Sequence, residues 1–181
     1  MPRLFTGIEI PSGIAEALNM LRGGLPGARW IERENYHITL RFLGDIDDRA
    51  AHDAASVLAD IRKPAFDLHF DGLASFGGRK PRSVHAQVVA TPALLQLQDE
   101  HERSMRCIGL APETRKFTPH VTLARLRNTS SHDVAHYLSE RGFFRTAPFP
   151  VTRFVLFSSR ASSGGGPYVV EESYPLQIAS P

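Results

Sequence analysis

The chain has 181 residues, 42% of them hydrophobic and 22% charged, with a formal charge of +2 and a pI near 8.9. That content supports a compact domain with a buried core and excludes wholesale disorder, while the mild basic excess suits contact with phosphates but falls short of a tight duplex binder. Cys107 is the only cysteine, which excludes an intrachain disulfide and favours a reducing, cytoplasmic setting; no apolar run suits a signal peptide or a bilayer crossing.

In chain order, Arg3 to Ile10 is apolar and aromatic, ends at Pro11 and reads as a strand. Ser12 is placed to cap a helix to about Arg22, closed by Gly23 and Gly24. Tyr36 to Leu43 is a second strand stopped by Gly44. Asp47 or Asp48 then caps a helix whose Ala54, Val57, Leu58 and Ile61 recur at helical spacing. Phe66 to Phe76 and Val84 to Val89 read as strands joined by the basic connection Gly77-Gly78-Arg79-Lys80-Pro81-Arg82. Thr91 followed by Pro92 opens a helix to about Ile108, with Gly109 as its stop and Cys107 expected to pack inside. Phe117 to Leu126 is a strand, Ser131 to Arg141 a helix ended by Gly142, and Phe149 to Ser158 and Tyr168 to Leu176 the last strands, joined by a flexible turn through Gly164-Gly165-Gly166. Several neighbouring strands have loops too short for a helical crossover, so the class is α+β with antiparallel pairing.

Two segments echo each other: His37-Ile38-Thr39-Leu40-Arg41-Phe42-Leu43 and His120-Val121-Thr122-Leu123-Ala124-Arg125-Leu126. Each is preceded by a strand and a helix and followed by a helix. Two copies of that plan predict two pseudo-symmetric antiparallel-sheet lobes, with outer helices, flanking a central cleft, all within one domain spanning residues 1–181. Strand alternation sends His37 and Thr39 to one face and Ile38 and Leu40 to the other, and likewise His120 and Thr122 against Val121 and Leu123. One His-x-Thr is most simply the wet face of a half-buried strand; two in matching context point to a site.

The chemistry such a pair supports is phosphodiester opening. A neutral imidazole takes a proton from water while an imidazolium gives one to the leaving oxygen, and both forms are accessible near an ordinary histidine pKa of about 6.5. Threonine hydroxyls and an arginine can hold the phosphate oxygens. Arg125 is the best-placed arginine, although alternation puts it opposite His120 unless the strand bulges or ends near Ala124. Arg41 has the matching parity in the first strand. Phe42, at the echo position of Arg125, is expected in the core more than against a base.

The paired tetrads resemble the signatures of the two-histidine phosphoesterases. Leu4 to Ile10, Trp30 to Gly44, Lys116 to Arg125 and Phe154 to Arg160 further resemble the bacterial RNA 2′,3′-cyclic phosphodiesterases, also called 2′-5′ RNA ligases. The resemblance implies a bilobal α+β fold, no metal and no cofactor, and opening of RNA 2′,3′-cyclic phosphate ends or cyclic nucleotides to 2′-phosphomonoesters. It implies His37 as proton donor, His120 as proton acceptor, and Thr39, Thr122 and Arg125 as phosphate-binding residues. It leaves open reversible 2′-5′ joining of tRNA halves by the same residues, and a non-catalytic nucleotide- or RNA-binding module is the reading from a different class. A monomer is expected. Where that family usually carries tryptophan this chain has His85, with a consequence for substrate preference if that position seats a base.

Other features compete less well. His132-Asp133-Val134-Ala135-His136 imitates a zinc helix but shows no third ligand, and reads as a solvated face. The glycine run is no phosphate loop, since no Gly-Lys-Ser/Thr comes after it. Arg79, Lys80 and Arg82 suit either an RNA backbone or a solvated hairpin tip.

Overall fold

The computed structural model describes residues 3–159 and 166–178. The N-terminal strand β1 (Arg3–Glu9) leads to helix α1 (Ser12–Asn19), which begins without a side-chain cap because Ser12 is already its first residue; it stops before Arg22. A short strand β2 (Ala28–Trp30), which its three residues are too few to announce, precedes β3 (His37–Asp45) and α2 (Asp48–Ala59). Asp47 caps α2 by accepting from the Ala50 amide at 2.7 Å, satisfying one of the orphan donors of a helix start.

Each of two anticipated long strands breaks in the middle. Phe66 to Phe76 divides into β4 (Phe66–Leu68) and β5 (Phe70–Phe76) at His69, whose carbonyl accepts from Val89. Phe149 to Ser158 divides into β8 (Phe149–Val151) and β9 (Arg153–Ser159) at Thr152, whose carbonyl accepts from Leu176. With those carbonyls drawn elsewhere, β4 and β8 form a ribbon of their own. Between the breaks lie β6 (Ser83–Val88), α3 (Pro92–Cys107), β7 (His120–Leu126) and α4 (Ser131–Arg141), and β10 (Tyr168–Pro175) closes the described chain. Strand β7 starts at His120, because Phe117 to Pro119 belong to the preceding irregular segment. Thr91 caps α3 through the Leu94 amide, and Gly109 beyond its end takes φ +91°, where a β-carbon would be strained. Cys107, expected to pack, is exposed on the last turn of α3.

Two four-stranded antiparallel sheets result, in the orders β10-β9-β1-β3 and β2-β7-β6-β5. The repeated plan is β1-α1-β3-α2 against β6-α3-β7-α4, as the echo implies. The sheets are nevertheless not consecutive halves of the chain. Strands β9 and β10 return from the C-terminal part to flank β1, and β2 reaches forward to pair with β7. A continuous cluster of buried apolar side chains, Ile38, Leu58, Leu97, Val121 and Leu123 among them, runs through both. No helix among the described residues is long and apolar enough to cross a membrane.

Candidate active site

The two motif strands share one burial pattern over their first six residues. His37 and Thr39 are half-buried, Ile38, Leu40 and Arg41 buried, Phe42 exposed; in β7 the same sequence of environments runs from His120 to Arg125. A strict alternation cannot give two successive buried residues, and the pairing explains them. Between Gly7↔Thr39 and Thr6↔Arg41 the register skips Leu40, and between His85↔Thr122 and Val84↔Ala124 it skips Leu123. Each motif strand therefore carries an extra residue at the same place, a β-bulge that reverses the facing of the residues just after it; β3 skips a second residue, Leu43, further on.

This bulge settles three placements. Arg125 turns to the face of His120 and Thr122 and lines the cleft. Phe42, by the same reversal, is 49% exposed on the cleft instead of lying in the core. Arg41 is turned inward, contrary to its nominal parity, and its Nε lies 2.6 Å from Glu102 Oε2.

One cleft of about 600 Å³ is lined by His37, Thr39, His120, Thr122 and Arg125 together, a size typical of small-ligand sites. The two imidazoles are held alike. His37 Nδ1–H donates to the Asn35 carbonyl at 2.9 Å, and His120 Nδ1–H donates to the Thr118 carbonyl at 2.6 Å. Each acceptor stands two residues upstream, so Nδ1 is occupied and Nε2 is the nitrogen left to react. His37 Nε2 accepts from the Thr39 hydroxyl at 3.0 Å.

The surroundings differ between the halves. His37 is walled by the rings of Phe5 and Tyr168, both with centroids at 4.9 Å, and of Phe157 at 5.5 Å. Burial lowers its pKa to about 4, the Asn35 carbonyl opposes that fall, and charge on His120 and Arg125 adds to it. His120 meets Phe76 at 5.0 Å and His85 at 4.9 Å. Its pKa is lowered by burial, with the Thr118 carbonyl opposing. His85 is 1% exposed and stacks on Phe76 with centroids 4.1 Å apart. It thus lies against His120 rather than opening on the cleft as a base platform; burial and then charge on His120 lower its pKa to about 4.

Gly7, opposite Thr39, admits the close approach of β1 to β3, since a β-carbon there would meet the Ile38 carbonyl oxygen at 2.6 Å. Neither this aromatic wall nor the two carbonyl cradles was evident from the sequence. His132 and His136 stand exposed on α4, and His136 Nε2 is 3.3 Å from Glu140; the described residues contain no cluster of three or more metal-ligating side chains. Gly164 and Gly165 of the glycine run, and Arg160, lie outside the described residues.

Two His-x-Thr strands facing one cleft from two sheets define a two-histidine phosphoesterase. A family model described as LigT like phosphoesterase matches residues 8–85 and 88–168. An RNA 2′,3′-cyclic phosphodiesterase of Aquifex aeolicus is 33% identical over 156 residues, 82% of this chain and 81% of that protein. One of Aeropyrum pernix is 37% identical over 110 residues, 58% of this chain and 60% of that protein's length. Among solved structures, E. coli LigT complexed with 3′-AMP aligns with a TM-score of 0.78 at 26% identity, covering 97% of this chain and 99% of that one. The chain belongs to the LigT like phosphoesterase family.

Proposed function

We propose that this protein is an RNA 2′,3′-cyclic phosphodiesterase that opens the ring to a 2′-phosphomonoester. The observation that carries the reading is the matched cradle: two imidazoles from two bulged strands, each with Nδ1 occupied by a carbonyl, line one cleft together with two threonines and an arginine. The names of the relatives agree with it.

In this mechanism neutral His120 Nε2 removes a proton from water as the water oxygen bonds to phosphorus. The bond from phosphorus to the 3′ oxygen breaks, and His37 Nε2–H delivers a proton to that oxygen. The phosphate stays on the 2′ oxygen. Thr39, Thr122 and Arg125 donate to the non-bridging oxygens, where charge gathers, Thr39 turning from His37 to do so. With the 5′ hydroxyl of a second RNA end attacking phosphorus in place of water, the same forward step would join the two ends through a 2′-5′ bond, and its reverse would split that bond, so joining is a second activity of the same site. The same reading takes residues 1–181 as one two-lobed unit acting as a monomer without metal or cofactor. It also places the chain in the cytoplasm, in keeping with its single cysteine.

The test is incubation of a cyclic-phosphate-ended oligoribonucleotide with the protein in EDTA. Accumulation of the 2′-phosphate end is the expected result. A ring that persists at high protein concentration leaves only the binding-module reading; a 3′-phosphate product means that the acid serves the other ribose oxygen.

A further inference from the structure

Arg41, buried by the bulge at the edge of the cleft, is put to another use. It is 6% exposed, and its guanidinium donates to Glu102 at 2.6 Å and to the Ala111 carbonyl. Glu102 in turn accepts from the Glu113 amide at 3.0 Å, and Glu113 accepts from the Arg115 amide at 3.0 Å. These bonds fasten residues 110–119, which form neither helix nor strand, to β3 and α3. At its far end the same segment is tied to β6, where Val88 donates to Pro119. Burying an ion pair rarely yields net stability, because desolvation offsets the attraction. The use of this pair is geometric: it fixes an irregular stretch of backbone.

That stretch is one wall of the cleft, and it carries Arg115 and Lys116, both exposed and both lining the opening. Arg82, the last cation of the basic connection before β6, lines the same opening. Among the described residues Lys116 and Arg82 have no carboxylate partner, and Arg115 has only the exposed contact to Glu113 at 3.5 Å. Ring opening by the two histidines uses none of these three cations. The reacting ring needs only the floor of the cleft, yet an RNA end brings a chain of further phosphates with it.

We infer that the 111–118 wall is a track for the RNA strand leading to the cyclic end. Arg115, Lys116 and Arg82 neutralise its phosphates, and Arg41, a positioning residue, holds the wall in place through Glu102. This deepens the proposed function and rests on it. Contacts of this kind are independent of sequence and weaken with salt, by about 0.7 in the log–log slope for each phosphate neutralised on a single strand.

The experiment is equilibrium binding of an oligoribonucleotide ending in a 3′-phosphate, which cannot turn over, beside the matching nucleoside 3′-monophosphate, across a salt series. The wild type is expected to bind the oligonucleotide more tightly and with the steeper slope. Arg115→Ala with Lys116→Ala should flatten that slope by about 1.4, so that from about 50 to 200 mM salt the wild type loses roughly sevenfold more affinity than the double variant. Arg41→Met should flatten it in the same direction; if that variant fails to fold, the exposed double variant decides. Equal slopes for the two wild-type ligands, or an unchanged slope in the double variant, would overturn the inference. Failure of the protein to open a cyclic mononucleotide, with the slopes as expected, would sink the activity and leave the track standing.

Discussion

Binding a phosphodiester to the empty cleft at pH 7 is expected to take up one proton, on His37. The free imidazole, enclosed by Phe5, Phe157 and Tyr168, has its pKa lowered from 6.5 to about 4. That shift is worth about 3 kcal/mol before any screening by solvent in the cleft, and it leaves roughly one His37 in a thousand protonated at pH 7. A proton donor in that state is idle. A phosphodiester monoanion beside it reverses the balance, because an opposite charge at hydrogen-bond distance favours imidazolium. The ligand should be a 2′-deoxydinucleotide, which has no 2′ hydroxyl to react and whose diester stays a monoanion across the range. Calorimetry in buffers of different ionisation enthalpy reads the proton count directly. Between pH 4 and the raised pKa of the complex, affinity should fall close to tenfold for each unit that pH rises, about 1.4 kcal/mol per unit. His37→Phe should abolish the dependence. Identical heats in all buffers near neutrality, or a flat affinity profile, would refute the idea that the substrate charges its own acid.

His37→Ala and His120→Ala should each cost several orders of magnitude in turnover of a cyclic nucleotide while leaving the fold intact by circular dichroism, and the wild-type pH–rate profile should be bell-shaped. Thr39→Ala or Thr122→Ala should cost less, roughly tenfold to a thousandfold in kcat, on the scale of losing one oxyanion donor. His101 offers a check on stability. It is fully buried, its Nδ1 is 3.0 Å from the Thr6 hydroxyl, and burial first and then the Arg41 charge lower its pKa to about 3. The unfolded chain binds a proton there below about pH 6.5 and the folded chain does not, so stability present above 6.5 drains away toward pH 3, by at most about 1.4 kcal/mol per unit. Urea midpoints measured from pH 7 to 4 should therefore fall more steeply for the wild type than for His101→Met.

The motifs were legible because strand alternation is local: the residues of His37-Ile38-Thr39 and His120-Val121-Thr122 suffice to say which side chains share a face. The facing of the residues beyond Thr39 and Thr122 was not legible, because a bulge is a property of two strands, and whether Leu40 or Leu123 is skipped depends on how β1 and β6 pair beside them. The parity reading of Arg41 is therefore reversed, the exposure of Phe42 could not be read from its residue type, and the bulge that Arg125 needs could be named only as a condition. The return of β9 and β10 to β1 and the reach of β2 to β7 are long-range pairings of the same kind. The cradles escaped for a different reason. They are carbonyls, of Asn35 and Thr118, and no side-chain pattern reports a backbone oxygen. The repeated bulge also gives the site its asymmetry. It brings the fifth residue after each histidine onto the cleft, and that residue is Phe42 in one half and Arg125 in the other. One frame, used twice, thus sets an apolar ring on the half that carries the proposed acid and a fixed cation on the half that carries the proposed base. A phosphate lying between them would meet Arg125 from one side and draw the proton onto His37 from the other.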